Sequence, residues 1–154
     1  MTIALRPARR ADNAWLETWL PAVAKSVDYD DESTQRSQKR LIIERSASRT
    51  PGTAALGCDP VGVIIYRTDE PKAHHAIIEL VATPPQCARR GAGMAAASLL
   101  EEQLRRRGMR RIYAPAAASH GIAMYFWIRL GYRPLLRHEW PCVREGVAWL
   151  SRDI

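Results

Sequence analysis

The chain has 154 residues, 47% of them hydrophobic, and its 23 Lys+Arg against 16 Asp+Glu give a formal net charge of +7. At about 150 residues a chain buries roughly two-thirds of its unfolded surface, so a core needs no metal or disulfide support. The apolar stretches 61–66 and 76–82 fall far short of the roughly 18 apolar residues of a membrane span, so no transmembrane segment is expected.

Residues 3–5 read as a short strand, after which Asp12 is placed to cap a helix bearing Trp15, Leu16, Trp19, Leu20 and Val23 on one stripe. Pro21 should kink or end that helix. The acidic run Asp28, Tyr29, Asp30, Asp31, Glu32 reads as a loop, followed by a second helical stretch to about Ser46. Residues 53–57 and 61–67 are strand candidates joined through Cys58-Asp59-Pro60, a turn signal that makes them a hairpin. The run 76–83 is the strongest strand and ends at Pro84-Pro85.

Residues 93–107 are helical, with Ala96, Ala97, Leu100 and Leu104 on one face, Glu101–Arg105 and Glu102–Arg106 as i,i+4 pairs on the other, and Gly108 as the cap. A strand at 111–117 leads to Ser119, placed to cap a short helix that runs to Leu130 and ends at Gly131. Residues 132–140 and 146–152 are two further strands. The order β-α-α-β-β-β-α-β-α-β-β, with no repeat and no linker, is a mixed α/β single domain over residues 1–154.

Residues 1–10 carry three arginines and no long apolar run, so no secretory leader is expected and a cytoplasmic address follows. Cys58, Cys87 and Cys142 are widely spaced without C-x-x-C, which argues against a disulfide framework or a zinc site. They read as reduced, mostly buried thiols, and no metal is expected. The arginines Arg89, Arg90, Arg105, Arg106, Arg107, Arg110 and Arg111 bracket one glycine-containing helix, which suits a localised anion better than a long polyanion.

The segment 79–93, ELVATPPQCARRGAG, runs from a strand through a basic loop into Gly91-Ala92-Gly93 and straight into a helix. Such a turn aims free backbone N–H groups and the helix dipole at one point, and glycine lets a phosphate approach the backbone. The third glycine of a dinucleotide fingerprint and the G-K-[ST] of a P-loop are both absent. On spacing alone, a plain structural turn and an anion cradle stay equally open.

At this point the chain resembles the GNAT superfamily of N-acetyltransferases, whose signature is [RQ]-x-x-G-x-[GA] between the fourth strand and third helix. Its late motif A-x-x-F-Y-x-x-x-G-[FY] is similar to Ala123-x-x-Phe126-Trp127-x-x-x-Gly131-Tyr132, and residues 58–66 look like its second and third strands. The resemblance covers most of the chain and implies a mostly antiparallel mixed sheet with splayed central strands and flanking helices. It also implies acetyl-CoA as cosubstrate, bound through Val81, Ala82, Thr83, Ala88, Arg89, Arg90, Gly91, Ala92, Gly93, Met94 and Trp127, with Val81 and Thr83 offering backbone groups to the acetyl carbonyl. Two departures stand out. The signature's Arg or Gln falls on Ala88, and the tyrosine that protonates the departing thiolate in many members falls on Trp127. Tyr125 is the nearest phenol, about 200° away around a helix.

An amine acceptor arrives as an ammonium and must lose a proton before it attacks a thioester. Glu79 is the first candidate base, because burial in an apolar strand would raise its pKa; a solvent-facing or arginine-paired structural role is the alternative. His120, at a helix N-terminus, is the second. Pro115 would interrupt a ladder in mid-strand, which fits either a splayed or a plain edge. Tyr29, Asp30 and Asp31 are candidate contacts for a cationic acceptor. The leading reading is an acetyl-CoA-dependent N-acetyltransferase acting on a primary amine, with no membrane partner and a homodimer left open. The alternatives are a non-catalytic acyl-CoA-binding domain and an RNA-directed acetyltransferase; nucleic acid is disfavoured because only 7% of residues are aromatic and no stacking platform is evident.

Overall fold

The apolar run 61–66 is buried at every residue, a pattern that only a strand covered on both faces can satisfy. The computed structural model describes residues 2–27, 38–46, 58–88 and 90–154. Their elements are β1 (Thr2–Pro7), α1 (Asn13–Ser26), β2 (Lys39–Ser46), β3 (Asp59–Thr68), β4 (His75–Ala82), α2 (Ala92–Arg106), β5 (Arg111–Ala117), α3 (Gly121–Arg129), β6 (Arg133–Pro134) and β7 (Val147–Asp153). The strands form one seven-stranded sheet in the order β1-β2-β3-β4-β5-β7-β6. Every pairing is antiparallel except β4 with β5.

Helices cover both faces. α2 and α3 bring Ala96, Ala97, Leu100, Leu104 and Trp127 onto Ile43, Ile64, Tyr66, Ile78 and Ile112. On the other face α1 packs Leu16 and Trp19 against Ile42, Val63, Ile65 and Leu80. A separate cluster of Ile77, Tyr113 and Trp149 fills that second face further along the sheet.

Several elements differ from the sequence expectation. Residues 39–46 are strand, not helix: Leu41 and Ile43 enter one core and Ile42 the opposite one, an alternation that a short apolar run does not reveal before its partners are known. Cys58-Asp59-Pro60 is no turn. Asp59 and Pro60 begin β3, where the register steps between Ile43 and Glu44, and a strand start beside a bulge tolerates a proline. The second and third strands are therefore β2 and β3, and residues 53–57 lie outside the described residues. α1 passes through Pro21 to Ser26, because Pro21 and Glu17 lie on the solvent side where a lost helical hydrogen bond is replaced by water. Asp12 does not cap α1; its carboxylate accepts from the Arg9 N–H and from both terminal nitrogens of Arg6. Residues 132–140 hold only the two-residue β6 and a short 3-10 turn, Arg137–Glu139. Cys58 and Cys142 are exposed and Cys87 is half-buried, against the expectation of buried thiols.

The pairing of Glu101 with Arg105 is also overturned. Glu101 is buried on α2, where its carboxylate accepts the Tyr132 hydroxyl at 2.9 Å and the Arg152 guanidinium at 3.0 Å, while Glu102 takes Arg105 and Arg106. Arg152 also donates to the Leu130 carbonyl at 2.7 Å. One carboxylate thus ties α2, the end of α3 and β7 together.

Burial pushes the Glu101 carboxyl above its ordinary value, against the opposing pull of Tyr132 and Arg152. A raised folded-state pKa means that this group's contribution is full below the unfolded value of about 4.3 and is lost as pH rises through the folded one. Urea unfolding of wild type and Glu101→Gln should therefore show wild type losing stability relative to the variant as pH rises above about 4.3. Parallel pH curves would refute this account.

Candidate functional site

β4 and β5 are held together only by His75–Arg111, Ala76–Ile112 and Ile77–Tyr113. Past that point β4 follows β3 as far as Ala82 while β5 follows β7 as far as Ala117, so the two strands diverge and their facing backbone edges lose their ladder. Pro115, opposite Trp149, sits in the divergent half of β5. A residue with no N–H suits an edge with no strand to receive it. The splayed central strands are present as the resemblance implied.

The open end of β4 leads through Thr83 and the 3-10 turn Pro85–Cys87 to Gly91 and α2. Gly91 caps α2 at φ 78°, with no side chain capping the first turn. A Cβ built on Gly91 would meet nothing within 4 Å among the described residues. Ala92 is buried, whereas at Gly93 a Cβ would touch Val81 Cγ1 at 3.4 Å and Phe126 Cε2 at 3.6 Å. The start of α2 is thereby pressed onto β4 and α3. Gly62 on β3 acts likewise: a Cβ there would lie 2.5 Å from the Ala82 carbonyl oxygen. Val81, Thr83 and Met94 are half-buried around this junction, Ala88 and Arg90 are exposed, and Arg89 lies outside the described residues. So do Tyr29, Asp30 and Asp31.

Glu79 stands at the mouth of the splay. The β3–β4 register steps from Ile65–Leu80 to Tyr66–Ile78, which leaves Glu79 as the extra residue of a β-bulge. Bulges re-aim side chains beside functional sites. Here the effect is to change which residues face α2: Ala76 and Ile78 do so before the bulge, and Val81 after it. The Glu79 side chain is 0% exposed and held by two guanidiniums. Arg67 of β3 donates to Oε1; Arg144, between β6 and β7, donates Nη1 to Oε2 at 2.8 Å and Nη2 to Oε1 at 3.0 Å. Arg67 also pairs with Glu70. Burial pushes the Glu79 carboxyl up, but the hydrogen bonds and charge of Arg144 and the charge of Arg67 outweigh it and hold the group below the usual carboxylate range. The expectation of a raised pKa is overturned, because burial came with two cations.

The other proton-transfer candidates fare differently. His120, not Ser119, caps α3: its Nδ1 accepts the Ala123 N–H at 3.1 Å. The Nδ1 acceptor site is thus occupied by the backbone of α3. Tyr125 is 60% exposed on the outer face of α3, beneath the Arg129 guanidinium at 5.7 Å, and does not enter the splay. Trp127 is 4% exposed in the main core, edge-on to Phe126 at 5.0 Å and against Tyr132 at 4.8 Å. That placement makes it a packing residue in place of the cofactor contact expected of it. Arg67 and Arg144 were missed in the sequence. Arg67 had a faint signal, a charge closing the apolar run VIIY; Arg144, 65 residues from Glu79, had none.

The chain matches the Acetyltransferase (GNAT) family over residues 11–132 and belongs to it. No curated protein matches it in sequence. Among solved structures it is similar to an acetyltransferase from Thermus thermophilus, at 18% identity and TM-score 0.72 over 100% of this chain and 98% of that one. It is also similar to N-acetylglutamate synthase from Neisseria gonorrhoeae, solved with coenzyme A and N-acetyl-glutamate, at 17% identity and TM-score 0.72 over 99% of this chain and 35% of that one. A Bacillus subtilis acetyltransferase in complex with CoA matches at 12% identity and TM-score 0.66 over 99% of both chains. At these identities the likeness is one of fold. No helix among the described residues is long and apolar enough to cross a membrane.

Removing the Glu79 charge would leave Arg67 and Arg144 facing each other in a buried site. Glu79→Gln should cost about 3–5 kcal/mol in urea unfolding at pH 7. Because the folded carboxyl titrates below its unfolded value, its contribution is present above an unfolded pKa of about 4.3 and is lost as pH falls through the folded one. The gap between wild type and variant should therefore narrow in acid; a gap of under about 1 kcal/mol at pH 7 would show that the ion pairs contribute little.

Proposed function

We propose that the protein is an acetyl-CoA-dependent N-acetyltransferase that transfers acetyl to a primary amine by direct attack within a ternary complex. The observation that carries this reading is the splay of β4 from β5, which opens toward the uncapped N-terminus of α2 at Gly91. The N–H groups of the α2 first turn, which no side chain caps, fit a pyrophosphate, with Arg89 and Arg90 adding charge. The β4 backbone around Val81 and Thr83 would hold the pantetheine arm and polarise the acetyl carbonyl. The amine nitrogen forms the new C–N bond, the C–S bond breaks, and the nitrogen's surplus proton passes to the departing thiolate. Among the described residues Tyr125, the phenol nearest the family's tyrosine position, lies outside the splay, and a thiol of pKa about 8.5 leaves tolerably as the anion before it takes up the proton. Support also comes from the family match and from the relatives solved with coenzyme A.

The exposed Tyr125 and the core-bound Trp127 favour, as a second reading, an acyl-CoA-binding domain without turnover.

Thermal unfolding with acetyl-CoA, CoA and ATP tests the cofactor site. A ligand at 100 times Kd stabilises by about 2.7 kcal/mol, worth about 5–10 °C at this size. Both CoA species should give the shift and ATP should not; Gly91→Glu should abolish it while Gly91→Ala, which shares the backbone strain, keeps it. No shift at millimolar acetyl-CoA would overturn both readings. A shift without thiol release across a panel of primary amines would select the second.

A further inference from the structure

Arg144 is bound the way a cationic ligand is bound. Its guanidinium spans both oxygens of a fully buried carboxylate, at 2.8 and 3.0 Å, and lies over the Trp149 ring at 5.0 Å from the centroid. A carboxylate and the face of a tryptophan together make a cage for a desolvated cation. The two parts come from opposite banks of the splay. Glu79 lies on β4, two residues past the last β4–β5 pair, and Trp149 lies on β7 opposite Pro115. Both sit on the face turned away from α2, so the cage and the start of α2 approach the splay from opposite sides of the sheet.

The two arginines differ in how they are rooted. Arg67 belongs to β3, and its side chain is 10% exposed. Arg144 belongs to the segment between β6 and β7, its side chain is 30% exposed, and its neighbours Cys142, Val143, Glu145 and Gly146 are all exposed. Gly146, at φ 69°, supplies a backbone bend at the end of that segment. The partners of Glu79 are divided in the same way. Among the described residues Oε1 is shared by Arg67 and Arg144, whereas Oε2 has Arg144 alone.

The geometry points to Arg144 as an internal stand-in for the acceptor: its guanidinium fills, between Glu79 and Trp149, the cage that receives the substrate's primary ammonium, and the substrate enters by displacing it. This rests on the N-acetyltransferase reading and names the acceptor class as a cationic primary amine. The exchange conserves the buried charge, since one cation replaces another. Arg67 stays on Oε1 and keeps the carboxylate oriented, while Oε2 passes to the incoming ammonium. Glu79 then takes one proton through Oε2, leaving the nitrogen lone pair for attack on the thioester, and the nitrogen's second proton goes to the thiolate when the C–S bond breaks. Among the described residues the charged groups facing Glu79 are Arg67 from β3 and Arg144 from the β6–β7 segment, with Glu70 on the far side of Arg67. With Arg144 gone, the largest remaining influence is burial, which raises the carboxyl's affinity for that proton.

The test is chemical rescue of Arg144→Ala, read by thermal unfolding in methylammonium chloride, with matched sodium chloride as control and methylguanidinium as the arginine-shaped comparison. The variant should melt below wild type and gain about 3–6 °C in methylammonium at ten times its Kd. At that concentration wild type, where Arg144 competes, should gain about 1 °C and Glu79→Gln/Arg144→Ala should not respond. If Arg144→Ala is unfolded in plain buffer, methylammonium should restore its folding and sodium chloride should not. No response to methylammonium up to about 100 mM, rescue by methylguanidinium alone, or an equal response in the double variant would each overturn the proposal. A second arm measures initial rates with n-propylamine. Arg144→Ala should lower the amine KM about tenfold and leave the acetyl-CoA KM unchanged, and a raised or unchanged amine KM counts against the proposal. Loss of the acetyl-CoA thermal shift would instead overturn the acetyltransferase reading, while the ammonium cage stands or falls on the unfolding arm.

Discussion

A parallel ladder of three residue pairs is all that joins β4 to β5, and the site follows from its stopping there. Had the ladder continued, the backbone of residues 78–82 would be satisfied by β5 and the sheet would be closed. Because it stops, the two halves of the sheet must be held together by other means. β5 is secured by β7, β4 by β3, and the main core beneath α2 and α3 spans both halves. The buried Glu101 with Tyr132 and Arg152 fastens α2 to β7 on that face. On the other face Glu79 does the corresponding work, linking β3 to the β6–β7 segment across the opening.

The two buried carboxylates show how environment divides one residue type. Glu101 has a neutral phenol and one half-exposed arginine, and burial wins, so its carboxyl titrates high. Glu79 is more deeply buried, yet two arginines reverse the sign. Burial alone therefore does not make a base. An acid held between two cations is an ion pair first, and it takes up protons only when one cation leaves. The removable cation is the one on the exposed segment, which couples acceptor entry to the state of the carboxylate through charge balance.

Much of the α2 side of the splay was legible in the sequence because its signal is local. Gly91 followed by a helix stripe, the short-range motif ending in Gly131-Tyr132, and a proline in mid-strand all lie within one or two elements, and their backbone consequences follow from the residues themselves. The chain order of most elements was legible for the same reason. The failures share a different cause. Residues 39–46 were misread because Leu41, Ile42 and Ile43 are apolar on both faces, and only neighbours on both sides of β2 make that a strand.

What the sequence by itself determined is the family, the α/β class and the place where the chain turns through Gly91 into a helix N-terminus, since these depend on backbone freedom and apolar spacing over short stretches. What only the tertiary structure decided is the chemistry on the opposite face. Strand alternation after Ile78 set Glu79, at the bulge, on the face away from α2, and the fold then brought Arg67 from 12 positions away and Arg144 from 65 onto one carboxylate. The protonation state of a buried acid is set by every charge within a few ångströms, and those charges were assembled by sheet order, which no local pattern encodes.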